Sequence, residues 1–154
     1  MTKQQRRLEA AADRIELAEL MHQYAWAIDK WEWERLDQVF TEDAEVDFSS
    51  VGQYTTGDSV LRGRDAIVRW LRTSIKPFPD VLHFMSNEIA TLQGDEAHVT
   101  TYMQVLHLPM GGIYHWDAIR TAAGWRIRRF RLEERTFEEA AERLQRHMKT
   151  VSGK

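Results

Sequence analysis

The chain has 154 residues and 18.1 kDa, with 21 basic against 24 acidic side chains, a formal charge of −3, and no cysteine. This is the length of one domain that can bury a core without staples, and the missing thiols exclude disulfides, cysteine metal sites and cysteine nucleophiles. The near-neutral balance gives no general affinity for nucleic acid or anionic membrane; no stretch approaches the ~20 apolar residues that cross a bilayer, and the polar N-terminus lacks a signal peptide's apolar run, so a cytoplasmic protein is expected.

From Arg6 to about Trp31 there is no Gly or Pro, and Leu8, Ala11, Ile15, Ala18, Met21, Ala25 and Ile28 recur at helical steps, which predicts a long amphipathic helix. A shorter helix is expected over Trp33 to Phe40, ended by Thr41-Glu42-Asp43, and Ala44 to Ser49 alternates as a half-buried strand. Gly52 and Gly57 break the next segment into short pieces. Gly63-Arg64-Asp65 opens a third helix to about Ile75, stopped by Pro77 and Pro79. Four alternating runs follow, Val81 to Leu92, Ala97 to Leu108, Ile113 to Thr121 and Trp125 to about Glu134. Their short Gly-containing connections predict an antiparallel meander. Thr136 to Met148 returns to helical spacing. Residues 1–154 thus read as one α+β domain with helices covering one face of a curved sheet.

Six Trp, six Phe, four Tyr and six His supply rings to line a cavity and imidazoles to place in it. Tyr24 and Asp29 fall in the last two turns of the first helix, where their offset places them ~140° apart, flanking one opening. Asp29 stands where the helix macrodipole disfavours a carboxylate, so a cation or donor should compensate it. On the strand Leu82-His83-Phe84-Met85-Ser86-Asn87, alternation assigns His83, Met85, Asn87, Ile89 and Thr91 to one face, a polar patch among apolar neighbours. His107, His115 and Asp117 include metal-ligand types, but lack dense motif spacing, and no metal is expected. Alternation spreads the arginines of Arg126-Ile127-Arg128-Arg129-Phe130-Arg131 over both faces, so no nucleic-acid surface is expected.

Tyr24 to Asp29, Leu36 to Asp43, Gly63-Arg64-Asp65-Ala66-Ile67, Leu82 to Asn87 and Gly124-Trp125-Arg126-Ile127, in this order, resemble the SnoaL-like branch of the nuclear transport factor 2-like superfamily. That branch includes polyketide cyclases, scytalone dehydratase, the lindane dehydrochlorinase and bile-acid dehydratase. The resemblance covers roughly residues 10 to 135. It implies a cone-shaped barrel, a curved mixed or antiparallel sheet wrapped around the long N-terminal helix, with an apolar internal pocket. It also implies that Asp29 meets His83, that Tyr24 holds a substrate oxygen, and that Asn87 is a polar pocket residue. A further acid or His falls near Val105 or His107, and a late arginine near Arg129, Arg131 or Arg135. Members are usually homotrimers or homodimers.

The expected activity is that of a lyase without cofactor, dehydratase-like, in which His83 takes a proton α to a carbonyl of a hydrophobic cyclic or aromatic substrate and water leaves. Asp29 orients His83, Tyr24 binds oxygen, and Asn87, His107, Met85, Trp26 and Phe48 contact substrate. A non-catalytic binding protein or accessory subunit of the same fold, and an isomerase or cyclase using the same pocket, are the alternatives.

Overall fold

A computed structural model describes residues 1–54, 57–78, 80–106, 108, 110–136 and 145–146. The long helix α1 runs Lys3–Asp29 and opens on a capping box, with Thr2 and Gln5 each bonding the other's backbone N–H at 3.1 and 2.7 Å. Its buried stripe is Leu17, Leu20, Met21, Tyr24, Ala27 and Ile28, all in the second half. Leu8 and Ile15, read as part of the apolar stripe, are 64% and 70% exposed, because both, in the first half of the helix, stand about 160–180° around its axis from Leu17, on the side away from the sheet. Asp13 pins that half down, accepting from Arg120 at 2.7 Å and from the Trp125 indole at 3.2 Å.

The second helix expected over residues 33–40 is a six-residue 3₁₀ segment, Trp33–Gln38, and strand β1 (Phe40–Asp47) begins four residues before the strand expected at Ala44. Pairing captures the chain early: the Val39 carbonyl accepts from the Ile127 N–H at 2.8 Å, and Phe40 is 1% exposed. A second 3₁₀ segment (Ser49–Tyr54) and the short strand β2 (Val60–Arg62) lead to α2 (Arg64–Ile75), which buries Ile67 and Leu71. Gly63, with φ +84°, makes the turn into α2 in a conformation that L side chains rarely adopt.

The meander follows as β3 (His83–Gln93), β4 (Glu96–Val105), β5 (Met110–Thr121) and β6 (Gly124–Thr136). The sheet order is β2-β1-β6-β5-β4-β3, with every neighbour antiparallel except the β1–β6 pair, which is parallel and makes the sheet mixed. Of the helix expected over residues 136–148, Thr136 is instead the last residue of β6, Gln145 and Arg146 are helical, and the rest lies outside the described residues. The sheet is curved but not closed, and α1, α2 and the 3₁₀ segments cover its inner face. Trp116, Trp125, Tyr24 and Phe40 are the largest fully buried side chains of the core between them. Trp26 and Trp31 are 50% and 44% exposed, so core packing does not account for all six tryptophans. No helix of the described residues is long and apolar enough to cross a membrane.

Candidate functional site

Asp29 is the last residue of α1 and His83 the first of β3, and the fold sets the two ends side by side. His83 Nδ1 lies 2.6 Å from Asp29 Oδ1, and the His83 backbone N–H donates to Asp29 Oδ2 at 2.9 Å. Both carboxylate oxygens are thus engaged by one residue, supplying the donors that a carboxylate at a helix C-terminus requires. The side chains are 6% and 9% exposed. Nδ1–H bonded to the carboxylate leaves Nε2 with its lone pair.

That ring lines an internal cavity of about 290 Å³. Its walls include Ile28, Phe48, Trp70, Val81, Met103, Val105 and Leu132, with His83, Tyr24, Tyr114, Ser74 and Glu134 as polar members. Phe48 stacks on Trp70 at 4.6 Å and 14°, a flat aromatic wall. Asp29 stands behind His83 rather than on the wall.

Tyr24 meets Tyr114 edge-on at 5.8 Å, and both pack on Phe130. Burial pushes the Tyr24 hydroxyl well above its ordinary pKa, helped by the charge and hydrogen bond of Tyr114 and by the charge of Asp29. Tyr114 is raised too, first by burial, while its bond with Tyr24 acts in the opposite sense. A bond between the two hydroxyls uses one O–H and leaves the other for a further acceptor. Tyr114 was not singled out by the sequence reading; the signal for it is a tyrosine at the inward phase of β5, between outward-facing Ile113 and His115.

The remaining expectations divide. Phe48 is on the cavity wall. Trp26 is not: it is half exposed, with the Lys30 ammonium 5.6 Å over its ring. Met85 is half-buried against the core, short of the wall. Asn87 is exposed, because β3 carries a bulge between Ser86 and Ile89 with Asn87 at φ 57°. The extra residue reverses the phase, so Glu88, Ala90 and Leu92 turn inward and Ile89 is 68% exposed. His107 lies outside the described residues, and Val105, where the family resemblance suggested an acid or His, is a 1%-exposed valine.

His115 and Asp117 do not converge: His115 bonds Glu133 at 2.9 Å and His98 bonds Asp117 at 2.7 Å, both on the outer face. Arg135, then His115, hold the Glu133 carboxyl below its usual range. Among the described residues no three His, Asp or Glu side chains gather to hold a metal ion. The arginines are not split between faces as expected. A bulge beside Ile127 turns Arg128, Arg129 and Arg131 all outward, and Arg129 and Arg131 there stand in register with Glu45 and Asp117, and with Asp47 and His115. Arg135 is also exposed, leaving none of the three late arginines in the cavity.

A bent mixed sheet folded over a long helix, with a polar group at the end of an apolar cavity, is the nuclear transport factor 2-like architecture. The chain belongs to the family of SnoaL-like domains, whose family model matches residues 9–131. An uncharacterized protein of Mycobacterium tuberculosis is 32% identical over 139 residues, spanning 82% of this chain and 88% of that one. A solved nuclear transport factor 2-like protein with a cystatin-like fold from Novosphingobium aromaticivorans superposes with a TM-score of 0.72 at 25% identity, covering 86% of this chain and 88% of its own. At 15% identity, the hexachlorocyclohexane dehydrochlorinase of Novosphingobium barchaimii shares the fold, with a TM-score of 0.68 over 82% of this chain and 89% of its own.

Proposed function

We propose that the protein is a lyase acting without cofactor, removing water from a small hydrophobic cyclic substrate that carries a hydroxyl β to a carbonyl. The observation that carries this reading is the double engagement of Asp29 by His83, ring at 2.6 Å and backbone at 2.9 Å. It fixes the tautomer that presents Nε2 to the cavity and balances the imidazolium when the base is charged. In the reaction, Nε2 takes the α proton and the electron pair moves to the carbonyl oxygen as an enolate. Tyr114, itself held by Tyr24, donates to that oxygen as charge develops. The enolate re-forms the carbonyl with a new C=C bond as the C–O bond breaks. The departing hydroxide takes the proton back from His83, so water leaves and the base is restored.

The cavity has roughly twice the ~150 Å³ that accommodates benzene in an engineered protein cavity, which suits a substrate of two fused rings. The first assay is therefore the conversion of 3-hydroxy-1-tetralone to 1-naphthol, followed by product fluorescence. His83→Gln should lower kcat/KM by about 10²–10⁴-fold with the fold retained by circular dichroism. Asp29→Asn, which keeps shape but stabilises the wrong tautomer, should lose at least ~10²-fold. Wild-type turnover in His83→Gln would sink the lyase and leave the cavity as a binding site.

The outer face of β3 and β4 exposes Leu82, Phe84, Tyr102 and Leu106, at 38–54%. It is the surface we assign to self-association as the expected homotrimer or homodimer.

A further inference from the structure

Most polar groups on the cavity wall already have an occupation. His83 is bonded to Asp29, Tyr24 to Tyr114, and Glu134 is engaged by interactions of its own. Two others are not, and both stand on α2. Trp70 and Ser74 are four residues apart, one above the other on the same side of the helix, and both line the cavity. Phe48 stacks on the Trp70 ring at 4.6 Å and 14°, so packing fixes the plane of the indole. Its Nε1–H is shielded from solvent and has no hydrogen-bond partner. The Ser74 hydroxyl makes no hydrogen bond among the described residues either. An indole nitrogen can only donate, and a buried donor without an acceptor is costly enough that folded chains seldom keep one without a use. Neither the chain nor the solvent outside supplies that acceptor, which leaves a ligand of the cavity to supply it. The two donors also stand apart from the tyrosines. Ring centroids run from Tyr114 to Phe130 at 4.5 Å, on to Phe48 at 5.9 Å and on to Trp70 at 4.6 Å, so two rings intervene. A ligand oxygen held at Tyr114 therefore leaves Trp70 for a second atom.

We propose that Trp70 and Ser74 determine specificity in this cavity: the indole N–H and the hydroxyl donate together to a second carbonyl oxygen, carried by the substrate at the end remote from Tyr114. This rests on the lyase reading in that it takes the same cavity as the substrate site. A carbonyl oxygen has two lone pairs and so can accept from both donors at once. It is also neutral, as the wall requires. No Lys or Arg is among the described lining residues, and Leu71, Ile75 and Phe78 beside the two donors are apolar, so an anion placed there would lose its water without gaining a counter-charge.

The test is calorimetric titration with two probes of similar shape, 6-acetyl-1-tetralone and 6-isopropyl-1-tetralone, which differ by an oxygen in place of a methyl group at the far end. Wild type should prefer the acetyl compound by about tenfold or more, the scale of two neutral hydrogen bonds. Trp70→Phe, which keeps a ring against Phe48 and removes the N–H, should bring that preference to within about threefold. Ser74→Ala, a replacement that a helix accepts, should lower it by about threefold. A preference that survives Trp70→Phe overturns the proposal, as does a wild type that binds the two probes equally, prefers the isopropyl compound or binds neither. His83→Gln should keep the wild-type preference while losing turnover. A preference that follows Trp70 alongside full activity in His83→Gln would retain this inference and remove the lyase, and equal binding alongside lost turnover would do the reverse.

Discussion

Tyr24 and Tyr114 illustrate how two phenols in a dry site link chemistry to stability. Free tyrosine ionises near pH 10, and burial holds both of these hydroxyls above that. Above about pH 10 the unfolded chain releases protons that the folded one keeps, so stability is fully present below that pH and falls as pH rises, by up to about 1.4 kcal/mol per pH unit for each phenol. Urea midpoints compared at about pH 8 and pH 11 should therefore drop. Tyr114→Phe should flatten the alkaline slope by about one phenol's share, and an unaltered slope would show that this ring titrates as a solvated one. In turnover, the same variant should lose about 10²-fold, the low end for removal of one oxyanion donor.

At the scale of elements, two bulges decide which side chains reach the cavity. Asn87 holds φ 57°, a conformation costing most L residues about 1–2 kcal/mol and tolerated best by Gly, Asn and Asp. Asn87→Gly should be near neutral in chemical denaturation and Asn87→Val destabilising by about that amount, while a near-neutral valine would mean the bulge relaxes without cost. The order of strands, the third helix and the meeting of Asp29 with His83 were legible because they rest on periodicity, on Gly and Pro punctuation and on the family resemblance, and the pair was found on the ends of adjoining elements. The phase beyond Ser86 was not, since strict alternation contains no signal for one inserted residue, and it misplaced Asn87 and Ile89. The same blindness at Ile127 split the arginines between faces and left Glu134 unnoticed as the inward residue. Trp26 was misjudged for a different reason: it stands about 200° around α1 from both Tyr24 and Ile28, so the turn that buries those two points its ring outward.

For the molecule as a whole, the apolar outer face of β3 and β4 is the main surface that water should not favour. Light scattering or sedimentation should find an assembly larger than one chain. Phe84→Glu with Tyr102→Glu should reduce it toward the monomer without altering the far-ultraviolet spectrum, and a monomeric wild type would exclude this face as a subunit contact. The His98–Asp117 and His115–Glu133 pairs lie on the same side of the sheet, toward β5 and β6. Being partly exposed, they should stabilise the fold little by themselves.

The parallel pairing of β1 with β6 sets the order in which the cavity comes into being. Ser50 and Glu134, whose bond ties the two ends of that arrangement, are 84 residues apart. A hairpin meander such as β3 to β6 can assemble from neighbours as they are made, but β1 must wait with its edge unpaired for a partner near the far end of the chain, a long closure that slows folding. The pair requires only that α1 meet the start of β3, whereas the wall bearing Phe48 and Val51, which follow β1, requires that last pairing. During synthesis the Asp29–His83 pair can therefore exist before the cavity that its ring lines is complete.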